Sequence, residues 1–255
     1  MTLASVMQRR WAEAEAEYHG KILRSLEPNP SARLLDVGCD DGAWTDAVRR
    51  RLGVSPEQVH GLEVVDERAE LARARGFHVQ TFDVEGRWPL DDASFDVVHA
   101  NQVIEHVVRL DHFVGEIRRV LKPDGVAVVC TENLASWHNV AALVLGYQPF
   151  SLTNISNVRA IGNRFALHAA ETPRQDESWQ HVHVLTLVGL RDIFAAHGFG
   201  AITTWGTGYY PFPRRVARAL ATRDARHAHF IAVVARPASA GRAGHDGRRL
   251  RPGES

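Results

Sequence analysis

Short apolar runs alternate along this chain with longer stretches whose apolar residues recur every three or four positions. That alternation predicts strands and helices in turn. Residues 5–26 carry Val6, Trp11, Tyr18, Ile22 and Leu26 among charges, a helical pattern that Pro28 and Pro30 stop. Residues 33–37 are largely apolar, as a strand buried on both faces should be, and Trp44, Val48 and Leu52 then begin a helix. The same reading places strands at 59–65, 78–82, 94–100 and 126–131. A helix over 66–75, with Asp66 as N-cap, follows the first of these. Phe113, Ile117, Val120 and Leu121 give another helix its core face, and Pro123-Asp124-Gly125 turns the chain into the fifth strand. Toward the end, helices at 186–197 and 213–221 precede strands at 201–205 and 229–235. Strands alternating with helices imply an α/β domain with a mostly parallel sheet.

Residues 134–183 break the rhythm. Punctuated by Pro149, Gly162 and Pro173, this segment is too long for a simple connection, which usually takes about 4–6 residues. Trp137, Tyr147, Phe150, Phe165 and Trp179 supply apolar walls, while Asn133, His138, Gln148 and His181 supply polar groups, so a lid over a ligand is expected. A dimer interface is the competing use of those aromatics. Residues 236–255 are rich in Gly, Arg and Ala without periodicity, and a disordered tail is expected there. The chain thus divides into a helical segment (1–30), a main domain (31–235) that holds the insert, and the tail.

The chemistry starts at Leu34–Thr45, L-L-D-V-G-C-D-D-G-A-W-T. Strand, glycine loop, helix opens a nucleotide site, yet the spacing is not the G-x-G-x-x-G of dinucleotide folds. D-x-G-x-x-x-G at the end of a first strand resembles motif I of the class I S-adenosylmethionine-dependent methyltransferases. An acid beside the loop suits a sulfonium and an amino acid better than a pyrophosphate. Asp40 stands where that family usually has a second glycine, and Asp enters the left-handed region at modest cost. Glu63, about 20 residues on, falls where nucleotide-binding folds place an acid on the ribose hydroxyls. The resemblance further implies that Asp83 and the N–H of Val84 meet the adenine. It also implies that Asn101-Gln102-Val103-Ile104-Glu105-His106-Val107 is the segment after strand four, in which "EH" opens the next helix. Trp88-Pro89-Leu90 and L-K-P-D-G complete a set that follows the family's order; the likeness covers residues 30–133 well and 184–235 loosely.

A Rossmann-like, doubly wound seven-stranded sheet is therefore expected, mostly parallel with an antiparallel last strand. Expected cofactor contacts are Asp36, Gly38, Cys39, Asp40, Gly42, Glu63, Val64, Asp83, Val84, Asn101, Gln102 and His106. Expected acceptor contacts are Tyr18, Asn133, Trp137, His138, Tyr147 and His181. The implied activity is methyl transfer from S-adenosylmethionine to a small molecule, such as a secondary metabolite or a sugar-containing acceptor. A non-catalytic S-adenosylmethionine-binding module and a nicotinamide-dependent oxidoreductase are the rivals.

Composition narrows the partners. With 30 basic and 30 acidic residues the formal charge is zero, which favours no polyanion, and no P-P-aromatic motif of nucleic-acid amino-methyltransferases follows strand four. Cys39 and Cys130, the two cysteines, read as small core residues in a reducing compartment. No apolar run approaches the roughly 18 residues that span a bilayer, and the start lacks a signal-peptide core, so a cytoplasmic monomer or homodimer is expected. Alignment of reactants is worth about 7–11 kcal/mol, against about 3–5 kcal/mol from a general base, so positioning should dominate. His106 and His138 are the candidate bases. His181 and His183 form H-x-H downstream of Glu171, Asp176 and Glu177, but no zinc-type spacing accompanies them and no metal is expected.

Overall fold

Leu34 and Leu35 are neighbours in sequence and face opposite sides of one sheet, and that division builds the molecule. The computed structural model describes residues 3–156, 158–166 and 180–238. Its strands are β1 (Leu34–Val37), β2 (Val59–Glu63), β3 (His78–Thr81), β4 (Phe95–Asn101), β5 (Leu121–Glu132), β6 (Phe199–Thr207) and β7 (Phe230–Pro237). They form a single seven-stranded sheet in the order β3-β2-β1-β4-β5-β7-β6, with β7 antiparallel to both of its neighbours. The helices are α1 (Leu3–Arg24), α2 (Ala43–Leu52), α3 (Asp66–Arg73), α4 (Leu110–Val120), α5 (Trp137–Val144), α6 (Leu187–Ala196) and α7 (Arg214–Arg223).

Alternate strand residues feed two cores, as the two-residue period of a strand requires. Leu35, Val37, Val98, Ala100, Val129 and Val233 pack with Phe113 and Ile117 of α4 and Phe194 of α6. Leu34, Val97, Val128, Cys130 and Ala232 pack on the other face with Tyr18, Ile22, Val48 and Leu52 of α1 and α2. The strand order reverses between β1 and β4, so the chain leaves these two paired strands in opposite directions along the sheet at its carboxyl edge. Ligands bind at that place in open α/β sheets.

Three local expectations change. The "EH" of Glu105-His106 does not open a helix, because α4 begins only at Leu110, after Arg109. Residues 102–109 make turns instead, with Gln102 at φ 56° and the N–H of His106 on the carbonyl of Val103. Asp66 is the first residue of α3 rather than its cap: Val65 holds the N-cap position and Asp66 accepts from the hydroxyl of Thr81 at 2.6 Å. β5 starts at Leu121, earlier than the apolar run suggests, since Leu121 already pairs with Phe95 ahead of a register shift in β4. Trp179, part of the expected lid wall, and residues 239–255 of the expected tail lie outside the described residues. Among the described residues no helix is long and apolar enough to cross a membrane.

Candidate active site

The loop after β1 spends its polar groups in a way that suits a cation. Asp36 turns inward and is almost fully buried; its carboxylate accepts from the Thr45 hydroxyl at 2.5 Å and from Nδ1–H of His99 at 2.7 Å. It therefore fixes the start of α2 to β4 instead of meeting a ligand directly. Gly38 at φ 70° and Gly42 at φ 75° take left-handed backbone, and so does Asp40 at φ 49°, paired with Arg68. Cys39 is buried, and its thiol is pushed up by burial and then by Asp36. The N–H of Ala43, at the head of α2, donates to Asp41 at 2.8 Å. A carboxylate thus occupies the position where a dinucleotide fold offers N–H groups to a pyrophosphate. The oxidoreductase reading loses its anion site for that reason.

Glu63 ends β2 beside this loop. Its two oxygens accept, one each, from the N–H of Asp40 and the N–H of Val65, both at 2.9 Å. Each oxygen keeps a second lone pair, a fit for the two hydroxyls of a ribose. Val64 is exposed next to it. Asp83 is exposed and caps the N–H of Glu85, while Val84 packs partly into the core. Asn101 carries a buried carbonyl oxygen without a partner, and Gln102 donates to the hydroxyl of Tyr18 at 3.3 Å. Glu63, Asp40 and Asp41 thus gather at the carboxyl edge of β1 and β2, the last two paired with Arg68.

Two expected acceptor contacts have other duties. Tyr18 is buried and stacked on Phe230 at 4.5 Å. Asn133 is fully buried; it donates to the carbonyls of Arg226 and Ala228 and accepts from Ala135, which ties the start of the insert to the approach to β7. The remaining two-part chamber was only half legible. Trp137, Tyr147, Phe150, Phe165 and Phe212 line a cavity of about 320 Å³. A narrower polar throat adjoins it, lined by Trp11, Glu132, His138, Ser151, Tyr210 and His229. Sequence reasoning missed His229, a residue it placed inside a strand. His138 stacks on His229 with ring centroids 4.6 Å apart, and neither ring nitrogen of His229 has a hydrogen-bond partner. Burial pushes His138 down to about 4 and His229 well below the usual histidine value, so both imidazoles are neutral near pH 7. His106 and His181 face each other elsewhere, 4.8 Å apart.

The family model described as a methyltransferase domain matches residues 7–204. The chain belongs to that family. S-adenosylmethionine is the cofactor that goes with this methyltransferase, in keeping with the acids at that edge. A mitochondrial ubiquinone biosynthesis O-methyltransferase of Bos taurus is 28% identical over 199 residues, covering 73% of this chain and 46% of that one. An uncharacterised transposon protein of Streptomyces fradiae is 33% identical over 122 residues, 46% of this chain and 35% of its own length. The chain thus spans less than half the length of these curated relatives. A solved structure from Thermotoga maritima, described as a possible histamine N-methyltransferase, superposes with a TM-score of 0.56 at 16% identity, over 90% of this chain and 93% of that one. That likeness speaks for the fold.

Two expectations arise at this site. Charge-assisted hydrogen bonds are worth about 1.5–3 kcal/mol, so Glu63→Ala should weaken S-adenosylmethionine binding about 10- to 150-fold by calorimetry. Asp40→Gly should leave affinity within a few-fold, since it relieves a left-handed residue and its ion pair with Arg68 is largely exposed. Wild-type affinity in a folded Glu63→Ala variant would take that carboxylate out of the site.

The buried neutral histidines also set a pH dependence. Unfolded, His138 and His229 bind protons near the ordinary histidine value of ~6.5, whereas in the fold burial takes His138 down to about 4 and His229 well below its ordinary value. Between these values the unfolded chain holds more protons, so their stabilising contribution is intact above pH ~6.5 and is lost as pH falls toward ~4. Urea midpoints should drop across that window, and less steeply in His229→Phe. An identical slope in the variant would count against the assignment.

Proposed function

We propose that this methyltransferase transfers the methyl group of S-adenosylmethionine to a hydroxyl of a small, largely apolar molecule seated in the aromatic chamber. The observation that carries this reading is the chamber itself. Its volume lies within the ~300–1,000 Å³ range of small-molecule sites, its described walls are largely apolar, and the adjoining throat at the end of β5 and the approach to β7 adds Glu132, Ser151 and His229 as hydrogen-bonding groups. A sugar would leave most of its hydroxyls unpaired against those walls, so any sugar in the acceptor belongs outside.

The chemistry asked of the protein is modest. The cofactor, when bound, supplies an electrophilic methyl on a good leaving group. Glu63 and the glycine loop hold the nucleoside; the aromatic walls orient the acceptor and exclude water. His229, neutral and with neither ring nitrogen bonded, would accept the hydroxyl proton as the methyl leaves the sulfonium for the oxygen, with His138, whose Nε2 meets the Ser136 hydroxyl at 3.3 Å, stacked against it. Their low basicity puts that contribution toward the lower end of the ~10²–10⁴-fold usual for general bases, below what alignment supplies. The relatives include both O- and C-methyltransferases, so the acceptor atom is a point for experiment.

The test is transfer of labelled methyl to a panel of acceptors matched in size. Phenols and enols with alkyl or aromatic substituents should be methylated, and free sugars and amino acids should not. Turnover confined to polar acceptors would overturn the reading. Cofactor binding with no transfer to any apolar hydroxyl compound would favour a non-catalytic binding module.

A further inference from the structure

Three residues outside the chamber make a second constellation. The side chain of Glu105 is fully buried, and neither carboxylate oxygen has a hydrogen-bond partner among the described residues. The Thr131 hydroxyl lies near it but is itself without a properly formed bond. An ionised carboxylate is costly in such a place alone. A polar group so costly to bury calls for a partner.

The partners at hand are two imidazoles. His106 donates from Nδ1 to the carbonyl of Gln180 at 2.9 Å, and His181 donates from Nδ1 to the carbonyl of Ser151 at 2.6 Å. A ring nitrogen facing a carbonyl must carry the hydrogen, so in both rings Nε2 is left with a lone pair. Metal-binding histidines are oriented in this way, with the far N–H on a backbone carbonyl or a carboxylate. One ligand atom from each of Glu105, His106 and His181 lies within 4.8 Å of the others.

The scaffold that brings them together is built from backbone. The carbonyl of Glu105 accepts the N–H of Val182 at 2.7 Å and of His183 at 3.1 Å, and His183 Nε2 meets the carbonyl of Val108 at 3.2 Å. These bonds strap residues 180–183, at the end of the insert, to the turn after β4. His181 is thereby delivered to Glu105 and His106.

We propose that Glu105, His106 and His181 bind a divalent first-row transition-metal ion of the zinc class. Two neutral imidazoles and one carboxylate suit zinc, iron(II) or manganese better than magnesium, which prefers oxygen ligands and keeps its waters. Three protein ligands leave a tetrahedral ion one open position. The ion compensates the buried carboxylate and clips the insert to the sheet edge. Ser151, whose carbonyl holds His181, also lines the throat, so the clip bears on the chamber's polar end. The site stands on its own geometry and does not depend on the acceptor proposed above.

The experiment is calorimetric titration of Zn²⁺ into the chelator-treated full chain, followed by X-ray absorption at the zinc edge. One tight site should appear, with two imidazole nitrogens and at least one carboxylate oxygen in its first shell. Glu105→Gln and His181→Ala should each weaken it by at least about 100-fold, the upper range for losing even an indirect metal partner. His183→Ala, which alters only the neighbouring strap residue, should keep tight binding. Circular dichroism and S-adenosylmethionine affinity check folding; should the buried Glu105→Gln fail that check, the more accessible His181→Ala decides. Absence of a tight site in the wild type, or equal zinc affinity in wild type and a folded His181→Ala, overturns the proposal.

Discussion

Gly38→Val is expected to abolish measurable binding of S-adenosylmethionine. At φ 70° the residue sits in the left-handed region, which costs an L-residue about 1–2 kcal/mol and a β-branched one more. A steric cost adds to it. A Cβ at this position would stand 2.4 Å from Cγ2 of Val103, in the loop that follows β4. The loops after β1 and β4 meet at the carboxyl edge, so pushing them apart deforms the cofactor site itself. Gly38→Ala combined with Val103→Ala relieves the contact but not the dihedral, and should recover part of the affinity. Calorimetry and circular dichroism on the purified variants separate lost binding from lost fold. Normal affinity in Gly38→Val would remove the loop from the cofactor site.

Turnover should collapse, with cofactor affinity kept within a few-fold, when the stacked histidines of the throat are altered. His138→Ala and His229→Phe should each lower kcat by about 10²-fold, the lower end of the general-base range. Phe preserves much of the ring stacking on His138, so a loss in His229→Phe reports on the nitrogens rather than on packing. The double variant should be little worse than either single one, because groups that act as a unit are not additive. The direction of the pKa shifts adds a second signature. Burial holds both imidazoles neutral below the usual histidine range, so the acid limb of kcat/KM should lie well below ~6.5. Unchanged kcat in both single variants would reassign the throat to shape alone.

Much of the frame was legible before any coordinates. The apolar runs of β1, β4 and β5 lie buried on both faces, and a strand of that kind is recognisable from its residues alone. Gly38, Asp40 and Gly42 do take the left-handed backbone that the loop spacing implies, because that demand is local. Glu63 also stands beside the loop, since a strand end about 20 residues on has one place to go in a β-α-β unit. The antiparallel position of β7 between β5 and β6 agrees with the family resemblance, though nothing in its own residues states it.

Pairings between distant residues were another matter. The acid of the D-x-G motif reads as a ligand contact, yet Asp36 faces His99 and Thr45, because strand register and α2 decide which way a short side chain points. Asn133 reads as a polar lid group and is spent on two carbonyls before β7. His138 belongs to the insert and His229 to the approach to the last strand; only the antiparallel register of β5 and β7, with Glu132 opposite Phe230, brings them face to face. Glu105 and His181 have no spacing that announces a shared site. Their meeting rests on backbone hydrogen bonds from Val182 and His183 to the Glu105 carbonyl. Periodicity and loop spacing report the conformational demands of neighbouring residues, and those alone determined the strands, the helices and the glycine loop. Contacts between segments far apart in the chain depend on sheet register and on where each carbonyl finds its N–H, and these only the tertiary structure decided.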